Sequence, residues 1–306
     1  MLHFLRTLDR RRFLGFPIWE FSFRSLPRRY GRMFLRDIVL RHPVRSVQGM
    51  LAYRRIYREG RQAGAASLPF AVDGDASLPF AVDGGASLPS VLEGDVTHLF
   101  AGTEADLQAE IVDADGGFVV ALGFCQKPVG GPGAGCPAGR FNHDCHVLVR
   151  SDLLGIRAAR LPVPCRGCDV RLIGTAALQA GAAVYIMTSA ADIARHIFIP
   201  TLESDRFRYG LFLQCPYSIP AMALPLLICR IRSLLVGYGE GDCSDYAQFS
   251  LADEGTKDER TCLNPPAHAR VLGFLDAVAS ARRARGSRYT CFHREGFVYV
   301  PVISLT

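Results

Sequence analysis

Residues 181–237 read GAAVYIMTSAADIARHIFIPTLESDRFRYGLFLQCPYSIPAMALPLLICRIRSLLVG, and three apolar runs inside this stretch decide the fold. Residues 182–188, 209–214 and 233–237 are short, rich in apolar β-formers and closed by turn-prone or charged residues, the composition of buried strands. Between the first two, Ser189 and Asp192 have the spacing of an N-cap and its N3 partner, which predicts a helix from there to about Phe198. Between the last two, the apolar segment 221–231 predicts another. Strand, helix, strand, helix, strand requires crossovers that return to the same sheet edge, so the fold class is α/β with a parallel-sheet, Rossmann-like core.

Upstream, residues 118–122 (FVVAL) predict a further strand and 146–149 (HVLV) a short one. Residues 169–180 predict a helix ended by Gly181. In sheets of this kind ligands bind beyond the carboxyl ends of the strands. Cys125, Cys215 and Cys243 each follow a predicted strand at that edge, and Thr188 with Ser189 ends another. Cys215, Cys243, Thr188 and Ser189 are therefore the candidate cofactor-binding residues.

The densest group is Cys125, Cys136, Cys145, Cys165 and Cys168, set among Gly- and Pro-rich loops that let a backbone wrap an inorganic centre. Cys165 and Cys168 form a Cys-x-x-Cys at a predicted helix start, where the helix dipole favours thiolate over thiol. An all-thiol set of four or five points to an iron–sulfur cluster, of the [4Fe–4S] type, as the metal centre. Zinc is the alternative, set behind because its structural sites usually show two short knuckle pairs. Read alone, Cys165-Arg-Gly-Cys168 also fits a thioredoxin-like redox pair. His143 and His146 flank Cys145, Cys229 and Cys291 read as core packing, and Cys262 has no assigned role. The acidic segments 241–245 and 253–260 read as solvated rim loops, with general acid–base groups as the other possibility.

With 49% hydrophobic and 21% charged residues in 306, disordered and fibrous classes are excluded. Ten cysteines are too sparse for a small disulfide-stapled scaffold. No apolar run reaches membrane-spanning length; the longest, 219–228, carries Pro220 and Pro225 and ends at Arg230. Residues 1–60 hold 14 arginines against four acidic residues, a local charge of +10 in a chain of +6. Only Lys127 and Lys257 are lysine among 35 basic residues, a chain-wide bias that reads as coding background. Residues 1–60 are thus expected to be a basic amphipathic helical arm that packs on its own domain or touches a protein partner or a membrane surface. Nucleic acid is not expected as a partner, since no binding motif accompanies the charge. Arg10-Arg11-Arg12-Phe13-Leu14 resembles a twin-arginine export signal, but Pro17, Glu20 and Arg24 interrupt the apolar run such a signal needs. Residues 61–95 contain a decapeptide repeated from Ala66, each copy with a proline, and are expected to be linker; 96–306 form the cysteine-rich domain.

The stretch 164–169 (PCRGCD), followed by 181–190 (GAAVYIMTSA) and Cys215, resembles a family of prokaryotic cysteine-motif proteins classed as a domain of unknown function, type 116. The likeness covers about residues 120–245 and implies a metal-binding α/β domain without supplying a reaction. The expected function is a cytoplasmic iron–sulfur protein, with or without peripheral membrane contact, acting as a redox enzyme or as an electron-transfer component for a partner enzyme. The alternative is a structural-zinc module that docks on a membrane surface or partner through its arm.

Overall fold

The structure, a computed structural model, describes residues 28–62, 91–92, 96–100, 102–114, 116–150, 157–243 and 246–304. Its strands are β1 (Val91–Leu92), β2 (Val96–Leu99), β3 (Phe118–Gly123), β4 (Ala183–Met187), β5 (Tyr209–Gln214), β6 (Arg232–Gly237), β7 (Arg288–Glu295) and β8 (Val298–Ser304). They form one mixed sheet in the order β1-β2-β6-β5-β3-β4-β8-β7. The centre is parallel, β6-β5-β3-β4, and antiparallel strands flank it on both sides. The apolar runs of the sequence are these four central strands, which carry helices on both faces.

Successive strand residues point to opposite faces, so each run feeds two cores. Val120, Leu122, Leu211 and Leu234 pack with Leu107 and Ile111 of α3 (Glu104–Asp113), Ile173 of α5 (Asp169–Gln179) and Leu275 of α10 (Pro265–Ala284). Val119, Ala121, Phe212 and Leu235 face the other side. There they meet Tyr30 of α1 (Arg28–Met33), Tyr53 of α2 (Pro43–Gln62), the segment α6 (Ala190–Ile193) to α7 (Ile199–Ser204), and α8 (Ile219–Cys229). α2 lies so close to α8 that a Cβ on Gly49 would stand 2.8 Å from the Ile228 amide nitrogen.

Chain order makes β3 the hinge of the topology. The connection after β3 leads to β4 on one side, and the connection after β4 returns across β3 to β5 on the other. Loops leaving β3 and β5 therefore diverge at their carboxyl ends and open the crevice where doubly wound sheets bind ligands.

Several expectations are corrected. Residues 146–149 are not a strand: Val149 N–H donates to Cys145 O and Arg150 N–H to Val147 O, folding the segment into tight turns with Val147 and Leu148 buried. The helix begun at Ser189 does not stop at Phe198 but continues through a π-helical turn, Ala194–Phe198, into α7. Described residues of the basic arm, by contrast, pack on their own domain, one of the dispositions expected of them, with Tyr30, Phe34, Ile38 and Tyr53 buried. Cys291 is exposed on the edge strand β7 rather than packed in the core. Val91 and Leu92, placed in the linker, pair with β2, whereas the decapeptide copies and the export-like motif lie outside the described residues. No helix among the described residues is long and apolar enough to cross a membrane.

Candidate functional site

The long loop between β3 and α5 contributes Cys136 and Cys145. Its end supplies Cys165, in the short helix α4 (Val163–Arg166), and Cys168, the N-cap of α5. These four thiols lie within electrostatic range of one another in every pairing. Backbone N–H groups of Val147 and Leu148 donate to Cys145 Sγ, and those of Val170 and Arg171, at the positive end of α5, donate to Cys168 Sγ. Burial pushes the Cys165 and Cys168 thiols up to about 11, with neighbouring thiols adding to the shift, so a metal binding here would displace protons.

Lys127 stands beside Cys136, Cys145 and Cys168. Its side chain is only 1% exposed, and Nζ donates to Asn142 Oδ1 at 2.6 Å, Asn142 O at 2.8 Å and Gly139 O at 3.3 Å. Burial lowers the ammonium to about 8, against the opposing pull of the nearby thiols. One lysine thus ties the Gly- and Pro-rich loop down and places a positive charge next to three of the four sulfurs.

Cys125 belongs elsewhere. The 3-10 turn after β3 carries it to Cys215, at the end of β5, and Cys243, after β6. All three line a cavity of about 110 Å³ at the carboxyl edge of β3 and β5. Thr188, Ser189, Gln214, Tyr238 and Asp253 share this mostly apolar lining, so the four predicted cofactor-binding residues meet at one cavity. Thr188 and Ser189 hydroxyls both donate to Asp192 Oδ2 at 2.9 Å, and Ser189 Oγ accepts from the Asp192 N–H at 3.2 Å, the cap that the Ser189–Asp192 spacing predicts. Asp253 accepts from the Ala190 N–H at 2.7 Å and holds the start of α6 at the same lip.

Tyr238 pins the crevice. Its hydroxyl accepts from Gly123 N–H at 3.0 Å and donates to Leu213 O at 2.7 Å, joining the ends of β3 and β5. Replacing it by phenylalanine leaves both backbone groups buried without their partner. Tyr238→Phe is expected to lower stability by about 1–3 kcal/mol in urea unfolding. An unchanged unfolding midpoint would mean that the crevice is held by packing alone.

Sequence reasoning missed Lys257. The residue is 6% exposed, its Nζ lies 3.5 Å from Cys243 Sγ and 3.4 Å from Thr261 Oγ1, and it donates to Gly241 O. Among the described residues no carboxylate pairs with it. The bond donated by Cys215, together with the Lys257 charge, brings Cys243 down to about 7 although burial opposes this. The same bond and burial hold Cys215 protonated well above the usual thiol range. A signal existed in the sequence: the chain's only two lysines each sit buried beside one of the two thiol groups.

His143 takes a structural position. Its Nδ1 lies 2.7 Å from Ile186 O and its ring stacks on Phe297 with centroids 4.3 Å apart. Cys229 is core packing, as expected, and Cys262 is half-buried beside Glu240.

Among the described residues no three His, Cys, Asp or Glu side chains form a group that could hold a metal ion. A single zinc requires four donors each about 2.3 Å from one point. The 136/145/165/168 thiols are gathered but not closed to that extent. As a donor set they are all sulfur, with backbone N–H donors to two of the sulfurs and an adjacent cation, a soft set of the kind that thiophilic metals take. No family model, no curated protein and no solved structure matches the chain.

Proposed function

We propose that the chain is an iron–sulfur protein in which Cys136, Cys145, Cys165 and Cys168 hold a [4Fe–4S] cluster and that it serves as a redox enzyme or electron-transfer component. The observation that supports this reading is the convergence of four thiols from three separate turns, with Lys127 beside them. Thiolate ligands and the inorganic core sum to a net negative charge, which a buried ammonium offsets in a low dielectric. When bound, the cluster would supply one-electron transfer. The chain's own residues would bind it, exclude water and, through N–H groups on Cys145 and Cys168, set its potential. The likeness to the cysteine-motif family rests on residues of this same region.

All ten cysteines are free, which fits a reducing compartment and supports a cytoplasmic location. Val44, Val47 and Leu51 form an exposed apolar stripe at helical spacing on α2, with exposed Leu40 in the turn before it, away from the buried positions Ser46, Ala52 and Tyr53. In this reading the stripe contacts the redox partner. Retention of the chain by anionic vesicles would give the stripe to a membrane surface instead.

Anaerobic purification followed by visible absorption, iron and acid-labile sulfide analysis tests the proposal. Broad absorbance with iron and sulfide in like amounts is expected. Colourless protein containing zinc would replace it with the structural-zinc module, and colourless protein without metal would remove the cluster.

A further inference from the structure

The cavity at the switch point is separate from the four-thiol group and has chemistry of its own. Two of its walls are sulfurs in hydrogen-bond contact, Cys215 just past the end of β5 and Cys243 in the loop that follows the adjacent parallel strand β6. Beside one of them alone stands a buried ammonium. The Lys257 Nζ lies 3.5 Å from Cys243 Sγ, so Cys243 is the thiol whose anion this buried ammonium is placed to stabilise. Thr261 fixes the geometry: it accepts from Lys257 Nζ and donates to Gly241 O at 2.9 Å, and its backbone N–H donates to Cys125 O at 3.0 Å.

We infer that Cys243 and Cys215 form a thiol–disulfide exchange site, Cys243 attacking as thiolate and Cys215 resolving, which reduces small apolar disulfides entering the cavity. The inference does not rest on the iron–sulfur reading. In the first step Cys243 S⁻ attacks one sulfur of R–S–S–R′, forming Cys243–S–S–R and releasing R′S⁻. In the second Cys215 gives up its proton, its sulfur attacks Cys243 sulfur, and RS⁻ leaves. The dithiol is oxidised to a disulfide as the substrate is reduced by two electrons, and the released proton goes to a product thiolate. A cavity of about 110 Å³ is smaller than sites that enclose whole ligands, roughly 300–1,000 Å³. It therefore takes one apolar arm of a disulfide while the other arm stays outside. Its lining, led by Phe124, Met187, Ile193 and Phe249, disfavours a charged arm.

The charged and titratable groups facing Cys243 are Lys257 from the loop after α9 (Tyr246–Asp253), Cys215 from the end of β5, Cys125 from the end of β3, and Asp242 on its own loop; Asp253 lines the cavity lip. Lys257 and the Cys215 bond favour the thiolate, and Asp242 opposes it. Reactivity should then rise with pH to a plateau, with its midpoint near neutrality rather than near the ordinary thiol value of about 8.5.

The test uses the full chain with exposed Cys291 replaced by serine as background, and 2,2′-dipyridyl disulfide as probe, with release of pyridine-2-thione followed by stopped-flow absorbance. The parent is expected to release both halves of the probe in a fast phase at pH 7, leaving a peptide in which Cys215 and Cys243 are joined. Cys215→Ser should release one half and keep the other on Cys243, visible by mass spectrometry. Cys243→Ser should lose the fast phase. Lys257→Met should slow it at pH 7 by about tenfold or more and move its midpoint upward, and Lys257→Arg should restore it. Circular dichroism melts establish that each variant is folded. A fast phase that persists in Cys243→Ser, or a Lys257→Met variant that reacts like the parent, overturns the inference. Iron analysis of the same samples separates this result from the fate of the cluster reading, since Cys243→Ser should retain the parent's iron.

Discussion

Replacing Arg282 by leucine is expected to cost the fold roughly 3–5 kcal/mol, the scale of several buried carbonyls losing their donors at about 1–3 kcal/mol each. Arg282 lies on α10 and is 3% exposed. Its Nη1 donates to Ala180 O at 2.9 Å and Gly181 O at 3.1 Å, just past the end of α5. Its Nη2 donates to Ile111 O at 2.7 Å and Ala114 O at 3.1 Å, at the end of α3. Carbonyls at the last turn of a helix lack intrahelical donors and carry the negative end of its dipole. One planar fork satisfies two such ends at once and also lies over the Tyr289 ring, 5.4 Å from its centroid. Leucine would leave the carbonyls buried and without these donors, and lysine, a point donor, would reach one helix end and not the other. Thermal melts should show a fall on the order of 10 °C for leucine and an intermediate fall for lysine. A leucine variant as stable as the parent would mean that the three helices are held by their apolar contacts alone.

The second large effect separates ligands from neighbours among the cysteines. If the 136/145/165/168 group holds the cluster, Cys168→Ala is expected to reduce iron per chain to below about a tenth of the parent's, since even outer partners of a metal ligand change affinity by roughly 10–100-fold. Cys125→Ala is expected to leave iron in place, because Cys125 sits with Cys215 and Cys243 at the cavity. Iron and sulfide measured on anaerobically purified variants decide this. Equal iron in both variants would return Cys125 to the ligand set or remove Cys168 from it.

The contrast between these two cysteines shows where reading a chain stops. Cys125 and Cys136 are near in sequence and flank one Gly- and Pro-rich loop, so spacing groups them together. In the folded protein, the turn after β3 aims Cys125 toward the ends of β5 and β6, and the loop carries Cys136 away toward α5. Spacing along a loop sets how far apart two residues can be. It does not set the direction in which either leaves the sheet.

Lys257 illustrates the converse. Composition marks the two lysines as exceptions in an arginine-rich chain, yet nothing local distinguishes a buried ammonium from a solvated one in an acidic segment such as 253–260. Burial comes from Arg140, which reaches across to Lys257 O and Glu259 O, and from Arg260, which donates to Gln126 O at 3.2 Å and Gly167 O at 3.0 Å. These bonds span more than 90 residues of sequence, and they turn a polar rim loop into a wall of the site. The mistaken strand at 146–149 has the same origin: its apolar run is real and buries Val147 and Leu148, but among the described residues no strand pairs with it, and its backbone bonds close tight turns instead.

The sequence by itself determined the parallel core, because each central strand is a continuous apolar run and each crossover carries its own start and stop residues. It also determined that thiols from several strands would collect at the carboxyl edge, since that edge follows from strand direction alone. Only the tertiary structure divided those thiols into two groups, each with its own lysine. The division depends on loop paths and long-range hydrogen bonds, which are fixed by packing rather than by any local preference of the residues concerned.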